Sequence, residues 1–438
     1  MWDGYLDFAG TEIINTARAV AYARGAGLPV QCSECDSLYA AVGDEPYQAP
    51  NTDTAPWYDT SQPESGQFLG VMGMGVAGTS ASTLTRTPVP LVGEGSAVGF
   101  GRRNHREIAF TVSLIARGDR GLSYGIEWLA SALQGASCST MAGCDGYEAC
   151  MFTACPTETL APLECGQGDT VPIPEPGENV GAAELRHLFD VALLEGPALG
   201  EVRYLSGGFR WADATFTLVA GKPYIFREPV QTLTDWVPLG TQPIVGPVDP
   251  DAVYEECVTP EPCLTDPTCP TPPMPPRPPI PADPCYQGGA ALFRRALVEI
   301  DPIAPPDWAE MVPVIEVSTG SAEMRRLIIR FWTSDASQPC SSLSDPCDAC
   351  LDISMSYLPA GALLTVDGRV QRATVGCPQG DEGYVTTTPY IFGTAGQTFT
   401  WPVFACPTGL CVEVLSLATA TAANAQVRVQ MVPRSDAA

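Results

Sequence analysis

The sequence predicts a mainly β protein, built from β-sandwich domains with one prominent amphipathic helix in the amino-terminal domain. Three observations carry that expectation. From Glu107 to Ala116, Ile108, Phe110, Val112 and Leu114 recur at period two opposite Thr111 and Ser113, as one face of a half-buried strand does. Directly after it, Leu122, Ile126, Leu129 and Leu133 recur at spacings of four, three and four, an apolar stripe on a helix that Gly135 ends. The carboxy-terminal third carries short strand signals separated by turns, the pattern of a sandwich.

Further strands in the first region are signalled by Phe189, Val191 and Leu193 and by Phe216, Leu218 and Ala220. Residues 136–180, with Cys138, Cys144, Cys150, Cys155 and Cys165, show no clear period and read as an insertion. Between 241 and 285, fifteen of the 45 residues are proline, which lacks a backbone donor and favours extended geometry, so this segment reads as a stiff linker. The expected domains are therefore 1–240, with a Cys-rich insertion at about 136–180, and 286–438, joined by the linker 241–285. Strand signals in the second are Leu327, Ile329 and Phe331, then Ile353, Met355 and Tyr357, then Val427, Val429 and Met431, which predict a sandwich of jelly-roll or galectin-like type. Asp367-Gly368 sits between two of its strands, and both positions tolerate positive φ, so a tight hairpin is expected there.

Composition narrows the function classes. Across 438 residues, hydrophobic residues make up 45% and charged ones 17%, which fits packed cores rather than disorder. Fifty acidic against 23 basic residues give a formal charge of −27, which speaks against nucleic acid as a specific partner. Lys222 is the one lysine, a bias expected of a GC-rich, actinobacterial setting. The start carries no basic and apolar signal pattern, and no run of about 18 apolar residues suited to crossing a membrane occurs, so no membrane insertion is expected. Seventeen cysteines suit a protein made in a cytoplasm and oxidised after release, with an odd thiol left over.

Candidate chemistry is sparse. Gly73-Met74-Gly75-Val76-Ala77-Gly78 matches the dinucleotide glycine pattern, but Thr79-Ser80-Ala81-Ser82-Thr83 and Pro88 follow instead of a helix, so it reads as strand or turn. Cys32-Ser33-Glu34-Cys35 and Cys347-Asp348-Ala349-Cys350 have zinc-compatible spacing, making Cys32, Cys35, Cys347 and Cys350 candidate metal ligands, with disulfides the preferred use. Cys340, Cys377, Cys406 and Cys411 read as staples within the second sandwich. A nucleophile–histidine triad would have to use His105 or His187, the two histidines, and neither has triad-like neighbours. No catalytic residue and no cofactor site is assigned.

The order of several short segments resembles a known family. Asp3-Gly4-Tyr5-Leu6, then Glu12 to Arg18 with Tyr22, Phe68-Leu69-Gly70-Val71, Gly101 to Arg106 and Trp128-Leu129 come first. Gly196-Pro197, Phe216-Thr217-Leu218 and Gly221-Lys222-Pro223-Tyr224 follow, and later Tyr357 to Gly361, Val366-Asp367-Gly368 and Trp401-Pro402. Over most of its length the chain resembles minor tail proteins of actinobacteriophages, mycobacteriophage-like, which are similar to the distal tail (Dit) proteins of long-tailed phages. The Cys-bearing insertion and the proline linker depart from that pattern. The resemblance implies a non-enzymatic structural protein of the virion, at the distal end of the tail. Its partners would be its own copies in a ring, expected to be hexameric, with the tail tube protein, the tape measure protein, the tail-tip hub and other minor tail proteins. The alternative it implies is an adhesin whose carboxy-terminal domain binds host cell-envelope glycans.

Overall fold

The computed structural model describes residues 2–30, 35, 38–80, 82–135, 147–156, 185–227, 234–240, 244–246, 291–300, 309–334, 340, 349–376, 384–393, 398, 400–404 and 409–436. Of the linker 241–285 only 244–246 falls among them, and of the expected insertion only 147–156. Two compact units result, Met1–Glu228 with Pro433–Ala438, and Pro229–Val432. Both are mainly β, and the last six residues, expected in the second domain, belong to the first unit.

The first unit contains β1 (Tyr5–Phe8), β2 (Thr11–Asn15), α1 (Thr16–Gly25), α2 (Leu38–Ala41) and β3 (Phe68–Ala77). An excursion follows, made of β4 (Leu84–Thr85), β5 (Pro88–Pro90), β6 (Ser96–Val98) and β7 (Arg102–Arg103). Then come β8 (Arg106–Arg117), α3 (Gly118–Gln134), β9 (Tyr147–Phe152), β10 (Leu185–Tyr204), β11 (Phe209–Ala220) and β12 (Ile225–Arg227). The expected alternation in 107–116 is β8: Ile108, Phe110 and Val112 are buried while Glu107, Ala109 and Thr111 face solvent. From Val112 onward both faces are buried, because α3 packs back onto the strand that leads into it.

β3, β8, β11 and β10 form one antiparallel sheet. The first residues of β10 pair instead with β9, which continues to β1 and β2. Both parts feed one core, holding Leu6, Phe8 and Ile14 together with Val71, Leu114 and the stacked pair Phe110 and Phe216, 5.0 Å apart. Each such side chain contributes about 1.5–3 kcal/mol by leaving water.

α3 follows its sequence signature. Leu122, Leu129 and Leu133 are buried, Ile126 packs beside them, and Gly135 terminates the helix at φ 72°. A Cβ at Gly125 would stand 2.3 Å from the ring of Phe68, which is wedged between Trp57 and Trp128 at 5.1 and 5.9 Å, so glycine lets the helix lie on that ring. α1 was not evident from periodicity, because its buried face mixes Ala19, Val20 and Ala23 with Arg18. Its start is set by Asn15, whose side chain accepts from the Arg18 N–H at 2.9 Å, and the Arg18 guanidinium pairs with Glu12 and Asp44 at 2.8 and 2.5 Å.

The second unit contains β13 (Val237–Pro238), β14 (Ile244–Gly246), β15 (Ala291–Ile300), β16 (Glu310–Ser318), β17 (Met324–Ser334) and β18 (Leu351–Leu358). It continues with β19 (Leu363–Asp367), β20 (Arg372–Gly376), β21 (Tyr384–Thr386), β22 (Ile391–Phe392), β23 (Gly409–Leu417) and most of β24 (Gln426–Ser435). One sheet runs β14-β15-β23-β17-β18-β22 and the other β24-β16-β19-β20-β21, with β13 beside β24. Leu327, Ile329, Phe331, Ile353 and Met355 from the first meet Ile315, Leu364, Val427, Val429 and Met431 from the second in one core, the expected sandwich.

Two local expectations need correction. Tyr357 faces solvent and Leu358 takes the core position, because Arg326 opposite this stretch sits at φ 53° and breaks the alternation in β17. The hairpin after Asp367 has a four-residue loop, 368–371, rather than a two-residue Asp-Gly turn. Asp367 pairs with Arg372, its carboxylate accepts from the Arg369 N–H at 2.8 Å, and the positive φ falls on Gln371.

Candidate functional site

The glycine-rich hexad is strand: 73–77 lie in β3 and Gly78 follows at φ 93°. Its glycines serve backbone approach, since a Cβ on Gly73 would collide with the Asp3 carbonyl and one on Gly78 with the Glu107 carbonyl. No phosphate cradle is formed there. Of the metal candidates, Cys35 is bonded to Cys155, 120 residues away, rather than to its C-x-x-C neighbour, and that bond occupies its sulfur. Cys350 is exposed, and Cys32 and Cys347 lie outside the described residues. Cys340 and Cys411 form a staple in the second unit, while Cys377 and Cys406 lie outside the described residues. His105 is exposed beside Glu107 at 3.0 Å. His187 meets Glu148 and Cys150, a cluster that sequence reasoning missed because the segment holding Glu148 and Cys150 showed no period.

The most conspicuous feature of the first unit is the excursion 84–105, in which every residue is exposed. β4 pairs with β7 and β5 with β6, across a tip closed by the Leu91 N–H donating to Gly95 at 3.1 Å. Val89, Leu91, Val92, Val98 and Phe100 stand in solvent, Val92 and Phe100 completely. A two-stranded ribbon with no buried side chain is marginal in water, and contiguous apolar exposure marks an interaction surface.

The root of this arm is firmly tied. The Arg106 guanidinium, buried, donates to the carbonyls of Pro223, Gly78 and Thr79 at 2.8, 2.9 and 3.0 Å and to that of Asp436. The Asp436 carboxylate accepts from the hydroxyls of Ser82 and Thr83, both at 2.8 Å, and lies 3.7 Å from Arg103. Burial pushes the Asp436 carboxyl up, but these hydroxyl donors and Arg103 outweigh it and hold the group below its ordinary value. A depressed carboxylate contributes stability that is complete above its unfolded pKa, about 3.9, and lost as pH falls through the folded value. The protection of the 82–105 amides, taken as their exchange relative to the unstructured rate at each pH, is therefore expected to hold down to about pH 4 and to fall below it, and Asp436→Asn is expected to show the lower protection already at neutral pH. Identical exchange in the two proteins at pH 7 would contradict the latch.

A second exposed element is the outer edge of β10. Residues 185–191 pair with β9, and 186–187 also with β12, but among the described residues 192–204 pair only with β11. Leu194, Leu199, Val202 and Tyr204 are exposed along it, and three register shifts twist it. In the second unit, an open apolar cleft of about 370 Å³ is lined by Tyr357, Tyr390 and Phe392 with Met355, Val375 and Thr387. The Thr387 hydroxyl is buried with no hydrogen-bond partner among the described residues.

Comparison with known proteins places the chain in no family. No family model matches it, and no curated protein does. Among solved structures it is similar to the Dit protein (gp 19.1) of phage SPP1, described as a paradigm of the hub adsorption apparatus in phages infecting Gram-positive bacteria. The identity is 9% and the TM-score 0.35, over 84% of this chain and 94% of the other. A likeness that loose assigns no role to the chain.

Proposed function

We propose that this chain is a structural minor tail protein of a long-tailed phage, a distal-tail type component that forms a ring of identical copies at the end of the tail tube and works by surface burial rather than turnover. The observation that carries the assembly is the arm at 84–105, whose exposed apolar residues are covered by none of the described residues although its root is fixed. A ring uses two different patches on each copy, one meeting the other on the neighbour. The arm is one such patch, and the open edge of β10 at 192–204 is the other. The tail position, a host among actinobacteria, and the tube, tape measure and hub proteins as neighbours rest on the segment order in the sequence.

The test is the mass of the purified full chain together with particle images and localisation in virions. Closed rings, and the protein at the tail tip, are expected. A monomer at all concentrations in solution and no copies in mature particles would overturn the reading. A second reading, a tail-tip adhesin, is favoured by the cleft of the second unit: the rings of Tyr357, Tyr390 and Phe392 that line it suit a sugar ring. Host-envelope glycan retention by the full chain that is lost in Tyr390→Ala would support it.

A further inference from the structure

We propose that Glu148, Cys150 and His187 form a binding site for a divalent transition-metal ion of the zinc type, which clips β9 to β10. The backbone brings them together. Glu148 and Cys150 are two residues apart on β9 and so project from one face, and His187 on β10 is the direct cross-strand partner of Cys150. Their ligand atoms all lie within 4.8 Å of one another. Cys150 Sγ stands 3.3 Å from His187 Nδ1 and 3.6 Å from Glu148 Oε1, and His187 Nδ1 stands 2.5 Å from Glu148 Oε1.

Those separations suit a small ion. Zinc–sulfur, zinc–nitrogen and zinc–oxygen bonds at a tetrahedral angle put ligand atoms about 3.3–3.6 Å apart. The sulfur–oxygen separation already has the length its pair needs, and the sulfur–nitrogen separation is short of its own by about 0.2 Å. The third needs opening by about 0.8 Å to reach the same range, and Glu148 is half-exposed and able to swing. Thiolate and imidazole select a borderline-soft ion over magnesium or calcium, and thiolate plus carboxylate neutralise its two charges. Binding releases the thiol proton to solvent and takes His187 as the Nε2–H tautomer, with Nδ1 unprotonated toward the ion. The Phe189 ring lies 6.4 Å from the imidazole and 11° from parallel with it, and solvent completes the shell. β9 would then be fixed at Cys150 as well as by the disulfide at Cys155.

The site is tested on the full chain, reduced and then dialysed against Zn²⁺ or Co²⁺, with metal content and the thiolate-to-cobalt charge-transfer band as readouts. The other cysteines set a background, so the comparison is with Cys150→Ser, His187→Gln and Glu148→Gln. Wild type is expected to retain one more equivalent than each variant, and the charge-transfer band is expected to weaken in C150S. Circular dichroism checks that each variant folds, and C150S, nearly isosteric, keeps the test open if H187Q does not. Equal retention and equal spectra in wild type and folded variants overturn the site, as would peptide mapping that finds Cys150 in a disulfide in isolated particles.

Discussion

Changing Val92 and Phe100 together to glutamate is expected to leave the chain folded and to weaken its self-association by about 10²–10⁴-fold. Both side chains are fully exposed on the arm, so neither contributes to the core of its own unit, and circular dichroism and melting should stay within about 0.5 kcal/mol of wild type. Their effect arises only where another copy covers them. Burial of a Val or Phe side chain is worth about 1.5–3 kcal/mol, so two lost per interface give about 3–6 kcal/mol, before any cost of placing two carboxylates in that contact. Sedimentation at matched concentrations measures the shift. Leu292→Glu, at an exposed apolar position in the second unit, is the control and should leave the assembly as it was. A double variant that assembles as wild type would show that the arm faces no neighbour, and would overturn the pairing of the arm with the edge of β10 as the ring contact.

The parts of this fold legible in the sequence are those in which one physical pattern dominates. β8 and α3 announced themselves because apolar residues keep strict periods of two and of three to four, and burial followed the same residues. The second sandwich was legible from its alternating strands, except where Arg326 at positive φ reversed the inside and outside of Tyr357 and Leu358, a backbone event with no sequence period. α1 was hidden by its buried charge. Arg18 is internal because Glu12 and Asp44 neutralise it, and no periodicity argument scores such a pair as core.

The candidate surfaces were less legible, for a different reason. In the arm, Val89 and Leu91 alternate like any strand that turns one face inward, and only the tertiary structure reveals that there is no inside. The cysteine pairs Cys32/Cys35 and Cys347/Cys350 drew attention because their spacing is local, whereas Cys35 joins a residue 120 positions away. The cluster of Glu148 and Cys150 with His187 depends likewise on a cross-strand register between distant segments. An E-x-C spacing on a strand followed at a distance by a histidine is its only trace in the sequence, and that is too common to single out.

Replacing Arg330 by leucine is expected to destabilise the second unit by about 3–5 kcal/mol at neutral pH. Arg330 is buried in β17 between two acids at direct cross-strand positions, Asp352 on β18 and Glu413 on β23. Its guanidinium donates to both Asp352 oxygens at 2.9 and 3.2 Å and stands 3.5 Å from Glu413, which also meets Arg295 at 2.5 Å. Leucine fills much of the volume but leaves two buried carboxylates against one half-buried cation. The pH dependence gives the prediction its sign. Burial already pushes the Glu413 carboxyl above its ordinary value, and Arg295 and Arg330 hold it back. Without Arg330 it rises further, and a carboxyl raised in the folded state keeps its stabilising contribution below its unfolded pKa, about 4.3, and loses it as pH climbs through the folded value. The deficit of R330L should therefore be widest at pH 7 and narrow as the pH falls toward about 4, read by calorimetry across that range. The triple change Arg330→Met, Asp352→Leu and Glu413→Val, which removes the buried cation and both acids and leaves Arg295 part-exposed to water, should recover most of the loss, since the cost lies in the stranded buried charges and not in the missing attraction. A deficit of R330L that is constant with pH, or a triple variant no more stable than R330L, would mean that Arg330 acts through packing against Trp332, 5.6 Å away, and that the acids flanking it are solvated enough to stand alone.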